Sequence, residues 1–263
     1  MTKQLYIFTI GAFCTHLLYG QANMGTRLTA MGNNGTAVRD LWGVAANPAS
    51  FTGISYPTVQ LSHQQNFFVK ELSNQSLALA LPANRQVFGL NLERYGLSEF
   101  QNIQIGIVTN RQFGPKLSIG LRAKYHQLSI QNYGNTVGFS IDIGTLYQLT
   151  EEICLGFYLT NPSKEKYGAK SIDLHIPTTT HAGIAYRTSE KLLLASTVSE
   201  DFFAIGLDYQ LIKPISLRSG ISLNPFTHYA GIGFSSLKFL ADFTFRKHPD
   251  LGYSPQFAFG YVF

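Results

Sequence analysis

From about residue 55 onward, apolar and polar residues alternate along the chain with hardly a break. In "KLSIGLRAKYHQLSI" Leu117, Ile119, Leu121, Ala123 and Tyr125 fall on one side, and Ser118, Gly120, Arg122, Lys124 and His126 on the other. "TVGFSIDIG", "DFFAIGLDYQL" and "LKFLADFTFRK" repeat the pattern, with Ile141, Leu207 and Phe243 on the apolar side and Asp142, Asp208 and Asp242 on the polar side. A period of two over such lengths predicts β-strands with one apolar and one polar face. Turn-rich breaks such as "LPANRQ", "RQFGPK", "NYGNT" and "RKHPDLGY" separate the runs. Fourteen strands are predicted, beginning near residues 56, 74, 86, 99, 116, 136, 152, 179, 190, 202, 214, 227, 236 and 253, although "KLLLASTVS" near 190 alternates poorly. The longest stretch without alternation, about 161 to 177, is predicted to be one large loop.

Alternation alone fits a soluble sandwich or a membrane barrel, and composition separates them. Charged residues make up 13% of the 263 residues, about half the roughly 25% usual for soluble domains. The polar faces that would line a lumen carry Glu93, Arg122, Lys124, Asp142, Arg187, Asp208, Arg218 and Asp242, interspersed with small residues such as Gly89, Gly120, Gly156, Gly206 and Gly220. An even strand count, an apolar outer face and a polar inner face predict an all-β fold: a transmembrane antiparallel β-barrel of about fourteen strands over residues 55–263. A single chain would close one monomeric barrel, with lipid as its surroundings. The net charge of +5 is spread without a Lys/Arg run, which gives no support to nucleic-acid binding.

The first residues, "MTKQLYIFTIGAFCTHLLYGQAN", have the layout of a cleaved secretory signal, assigned to residues 1–21. Thr15, His16 and Gln21 interrupt the apolar stretch before it reaches the ~20 residues a spanning helix needs. Cleavage would leave Cys154 as the single cysteine, so neither a disulfide framework nor a cysteine metal site is expected. Residues 22–54 lack alternation and are rich in Gly, Ala and Asn. They are predicted to form a hatch inside the lumen, with a short helix over 36–46 that turns Val38, Leu41, Trp42 and Ala45 to one side. Asn47-Pro48 is expected to end that helix.

Within this segment "RLTAMGNNGTAV", followed by "DLWGVAANPASF", resembles the amino-terminal signature of the FadL/PorV-type outer-membrane proteins. The matching positions are Ala30, Met31, Gly32, Gly35, Ala37, Asn47, Pro48 and Ala49. A second match lies in "LTNPSKEKYG…LHIPTTTHAGIAY", at Asn161, Pro162, Pro177, Gly183 and Tyr186. The chain's small size and the "LLYGQ" end of its leader look more like the PorV/PorQ-type relatives of Bacteroidota. The resemblance implies a fourteen-stranded barrel in the outer membrane of a Gram-negative cell, with Met31, Gly32, Trp42, Asn47, Pro48 and Ala49 as hatch residues. It also implies a role for the terminal strand, where Phe257, Phe259, Tyr261 and Phe263 occupy alternate positions. In such barrels a last strand ending in Phe is recognised by the insertion machinery, which makes Phe259, Tyr261 and Phe263 the candidate insertion signal.

Catalysis is not expected, nor is any cofactor or metal. His63, His126, His175, His181, His228 and His248 fall on different strands or loops, none beside a recognisable Ser motif. The inward charges Arg122, Lys124, Arg187 and Arg218 with Asp142, Asp208 and Asp242 could select solutes in a channel, but they are expected to pair with one another and with the hatch, because charges in a narrow lumen need partners. Two functions remain. One is passage or binding of a hydrophobic or small solute, as the fatty-acid transporters of the family imply. The other is a scaffold that binds other envelope proteins, as relatives in type IX secretion do.

Overall fold

A computed structural model describes residues 24–168 and 174–263, so the predicted leader lies outside the described residues. The chain runs from a short helix α1 (Thr26–Ala30) through two 3-10 turns, Leu41–Val44 and Pro48–Phe51, into the strands. These are β1 (Thr58–Gln65), β2 (Ser73–Ala83), β3 (Gln86–Gly96), β4 (Phe100–Phe113), β5 (Leu117–Ile130), β6 (Gly134–Gln148) and β7 (Ile153–Leu159). The second half holds β8 (Thr180–Ser189), β9 (Leu192–Ser199), β10 (Phe203–Ile212), β11 (Ile215–Leu223), β12 (Thr227–Ser235), β13 (Phe239–His248) and β14 (Gly252–Val262). Every strand pairs antiparallel with its sequence neighbours, and β1 pairs with β14 from Thr58↔Val262 to Gln64↔Gln256, closing the barrel. Closure removes the two edges that an open sheet would present. Each predicted strand start falls within three residues of an observed one.

The facing follows the alternation. Along β6, Val137, Phe139, Ile141 and Ile143 are exposed on the outside while Gly138, Ser140, Asp142 and Gly144 are buried within. Phe257 and Phe259 of β14 stand outward in the same way. A continuous belt of exposed Leu, Ile, Phe and Tyr around the whole wall is untenable in water and is stable against lipid. Among the described residues no helix is long and apolar enough to cross a membrane; the strands cross instead. Ile141, 54% exposed at mid-strand, is a direct probe of this facing. Ile141→Arg should cost about 2–4 kcal/mol while Ile141→Leu is near neutral, as read from urea midpoints in lipid vesicles. Equal midpoints for the two variants would mean the facing is wrong.

The wall is uneven at one place. β7 pairs with β6 only from Ile143↔Leu159 to Gln148↔Cys154, so residues 134–142 of β6 extend beyond its reach. The chain after β7 folds back there, with Gly168 N donating to Val137 O at 2.8 Å and Ile176 packed on Gly138. This is the large loop expected at 161–177.

Residues 24–54 lie inside the barrel. Leu28, Met31, Trp42, Val44, Ala49 and Phe51 are all at most 1% exposed. The helix expected over 36–46 does not form. Asp40, at φ −160 and ψ 158, starts a single 3-10 turn and accepts a hydrogen bond from Trp42 N. Asn47 does not end a helix either: its side chain accepts from Ala49 N and caps the next turn, with Pro48 at the first position, where a missing N–H costs nothing. The segment takes its shape from the wall it packs against. Among the described residues the one α-helix is α1, which lies earlier, outside the expected span.

Candidate functional site

The inner wall fits this segment through its glycines. A Cβ on Gly206 or Gly220 would fall 2.0 or 2.4 Å from the backbone of Met31–Gly32. A Cβ on Gly156 would meet Thr36 O at 2.0 Å, and one on Gly120 would meet Pro48 C at 2.2 Å. These strand positions therefore let the main chain of the segment lie directly on the main chain of the wall. Gly32 itself, at φ 79, turns the chain where Ile221 O leaves little room for a side chain.

Polar side chains tie the segment's main chain to the wall at several places. Asn47 Nδ2 donates to Thr36 O at 2.6 Å and to the wall at Thr145 O at 3.2 Å. Asn110 of β4 donates to Ala49 O at 2.6 Å. Thr244 of β13 donates to Thr26 O at 3.0 Å. The Asn-Pro-Ala turn thus joins both sides of the segment to the wall, which is more than a stop signal.

The lumenal charges form two groups on opposite sides of the segment. One lies toward the end that bears the long β7–β8 loop. Arg122 and Lys124 pair with Asp142 at 2.7 and 3.0 Å, Tyr158 donates to Asp142 at 3.1 Å, and Asn161 N donates to its other oxygen at 3.1 Å. Arg122 also donates to Tyr158 and to Val44 O of the segment. Asp142 is fully buried, so this acid is compensated on every side, as a charge in such a place must be.

The other group lies toward the end where β1 starts and β14 finishes. Arg27 of α1 pairs with Asp40 at 2.7 Å and with Asp208 at 2.8 Å. Asp208 pairs with Arg218 at 3.3 Å, and Arg218 reaches across Gly233 to Asp242. Gln60 donates to Asp242 at 3.1 Å and accepts from Trp42 Nε1 at 2.7 Å. Asp40 accepts from Trp42 N at 2.8 Å. The contacts close a ring: Trp42, Asp40, Arg27, Asp208, Arg218, Asp242, Gln60 and back to Trp42. Below it opens a vestibule of about 440 Å³.

Six of the seven lumenal charges expected to pair therefore meet, in two sets of three, whereas Arg187 has no carboxylate partner among the described residues; Met31, Gly32, Trp42, Asn47, Pro48 and Ala49 are buried inside the barrel. Phe259, Tyr261 and Phe263 lie on the outside of the seam between β14 and β1, with Tyr261 opposite Val59. Arg27, Asp40, Gln60, Asn110 and Tyr158 were not singled out. Arg27 and Asp40 did carry a signal: with Arg39 they are the charged residues of 24–54, and a charge placed in a lumen requires a partner.

One pair resembles catalytic machinery. His126 Nε2 lies 2.8 Å from Ser140 Oγ, but both residues are only 3% exposed. The nearby Asp142 is taken up by Arg122, Lys124, Tyr158 and Asn161 N, so among the described residues no acid is seen to orient the imidazole. The pair reads as a buried polar contact of the wall.

No protein-family model matches the sequence, and no curated protein matches it. Solved structures do match the fold. The CymD monoaromatic hydrocarbon channel superposes with a TM-score of 0.69 at 14% identity, over 92% of this chain and 98% of the other. The Pseudomonas putida toluene transporter TodX gives 0.67 at 13% identity, over 90% and 96%. A Pseudomonas aeruginosa FadL homologue gives 0.66 at 11% identity, over 91% and 98%. Identities this low establish a shared architecture, the closed fourteen-stranded barrel.

Proposed function

We propose that the chain is an outer-membrane protein that passes a small, predominantly hydrophobic solute, with residues 24–54 as the movable obstruction. The observation that carries this reading is how the obstruction is held. It adds no strand to the sheet, and the wall closes without it. Its ties are polar contacts, glycine-floored seats and apolar packing against wall residues such as Val108 and Leu146, all of which can break while the wall keeps its own hydrogen bonds. The hydrocarbon channels and toluene transporters that share the fold support the same solute class. Placement in the outer membrane of a Gram-negative cell, after removal of a leader, belongs to this proposal.

Asn47→Ala combined with Pro48→Gly removes the cap and the fixed angle of the turn that joins segment to wall. The double variant should insert normally and raise liposome-swelling rates for small solutes several-fold over the parent. An intact barrel with unchanged swelling would contradict the passage reading.

One observation favours a second reading: the lumen is filled by the segment and by paired charges. A barrel that stays closed could serve as a scaffold for other envelope proteins, as PorV-type relatives in type IX secretion do. In that case the double variant leaves permeability unmoved, and recovery of partner proteins from native membranes falls instead.

A further inference from the structure

The vestibule beneath the segment has a chemistry that the passage of a hydrophobic solute does not use. Its floor is the ring closed on Trp42, in which every carboxylate is committed: Asp40 and Asp208 to Arg27, Asp208 and Asp242 to Arg218. Its rim is different. Arg187 near the end of β8 and Lys191 in the turn that follows both line the space and are exposed. Among the described residues no carboxylate pairs with either of them. Glu190 is the single acid of that rim, and the Arg27 side chain is still 25% exposed. The groups left to meet a ligand are thus two cations, Arg187 and Lys191, against one acid, together with the exposed edge of the paired Arg27 and the neutral donors Gln210 and Ser216. A volume of about 440 Å³ is in the range of small-molecule sites, roughly 300–1,000 Å³. Guanidinium groups bind carboxylates through paired, charge-assisted hydrogen bonds.

We propose that this vestibule binds a small carboxylate-bearing molecule and that its occupancy loosens the segment above it. The coupling runs through the ring. Arg27 holds Asp40, and Asp40 holds the backbone N–H of Trp42. Arg27, Asp40 and Trp42 all belong to the segment, so this ring ties it to the wall through Arg27–Asp208 and Trp42–Gln60, and a carboxylate that draws the Arg27 fork away from Asp208 breaks the first of these. The other tie on Trp42, through Gln60 to Asp242, then stands alone. The binding half stands on the vestibule alone; the coupling half rests on residues 24–54 being the part that moves.

Trp42 is the one tryptophan of the chain, which makes its fluorescence a reporter of the segment. The experiment titrates the full mature chain in nanodiscs with succinate, with the neutral succinamide and with 1,4-diaminobutane, all at matched ionic strength. Calorimetry reads binding and Trp42 emission reads loosening. Succinate should bind saturably and shift the emission to the red, and the other two should do neither. Arg187→Gln with Lys191→Gln should weaken succinate binding about tenfold or more while the barrel keeps its heat-modifiable mobility on gels. Absence of succinate binding, or an equal response to the diamine, overturns the site. Saturable binding with no change in Trp42 emission overturns the coupling. Swelling rates of the Asn47/Pro48 variant are measured without succinate, so failure here leaves the passage proposal standing, and the reverse also holds.

Discussion

Gly206→Leu should leave the barrel in the membrane and drive residues 30–32 off the wall. A Cβ at this position would stand 2.0 Å from Met31 O, 2.7 Å from Met31 C and 2.8 Å from Met31 Cα. These are main-chain atoms, so no rotamer change relieves the overlap. The neighbouring seat at Gly220 is equally close, so the segment cannot slide toward β11. Overpacking of this kind costs about 1–3 kcal/mol when the surroundings can adjust, and more when they cannot. The wall's ladder hydrogen bonds do not involve the segment, and the strain falls on the weaker partner. Trp42 emission should move to the red, and small-solute swelling should rise several-fold over the parent. A correctly inserted Gly206→Leu barrel with parental emission and parental swelling would refute the seat.

The largest loss of stability is expected at Asp142. This acid is 0% exposed and compensates both Arg122 and Lys124. Asp142→Ala leaves two cations of one strand buried side by side, and it orphans the amide of Asn161. Breaking a buried pair by removing one partner costs about 3–5 kcal/mol, and here Asp142 is in direct contact with two bases, with Glu93 acting on both as a second acid. The damage should reach the segment as well, because Arg122 also holds Val44 O. Asp142→Asn keeps the shape and part of the hydrogen bonding, so it should lie between the parent and Asp142→Ala. Urea midpoints at unchanged slope give the comparison. A loss below about 1 kcal/mol for Asp142→Ala would show that the cluster is solvated rather than buried.

Much of the wall could be read from the sequence because a strand's facing is set by a period of two and its ends by turn residues. The same regularity placed part of the site. Arg122 stands opposite Asp142, and Arg218 opposite Asp208, as cross-strand partners in adjacent strands. Once the turns fix the register, those pairs follow. Asp242 does not follow so simply: its register partner is Gly233, and Arg218 reaches it only because that glycine leaves the way clear.

The shape of the segment inside the barrel was not legible in the sequence. Val38, Leu41, Trp42 and Ala45 fit a helical face, yet residues 33–39 form no helix and Asp40 is extended, where wall glycines receive the backbone at Thr36 directly. A contact of main chain with main chain leaves no side-chain pattern in the segment itself; the trace is in the wall, as glycines at inward positions of distant strands. The ring on Trp42 was hidden for a related reason. Its members come from α1, β1, β10, β11 and β13, and only the closed barrel brings them together.

The central claim is that residues 24–54 occupy the lumen of a membrane-embedded barrel, and Trp42 tests it most directly. The protein is reconstituted in bilayers, and its tryptophan emission is challenged with aqueous iodide and, separately, with lipids brominated along their acyl chains. Trp42 is 1% exposed and enclosed by the wall, so neither quencher should reduce its emission appreciably. Strong quenching by iodide would place the segment outside the lumen in water, and strong quenching by brominated lipid would place it against the membrane; either result would contradict the account.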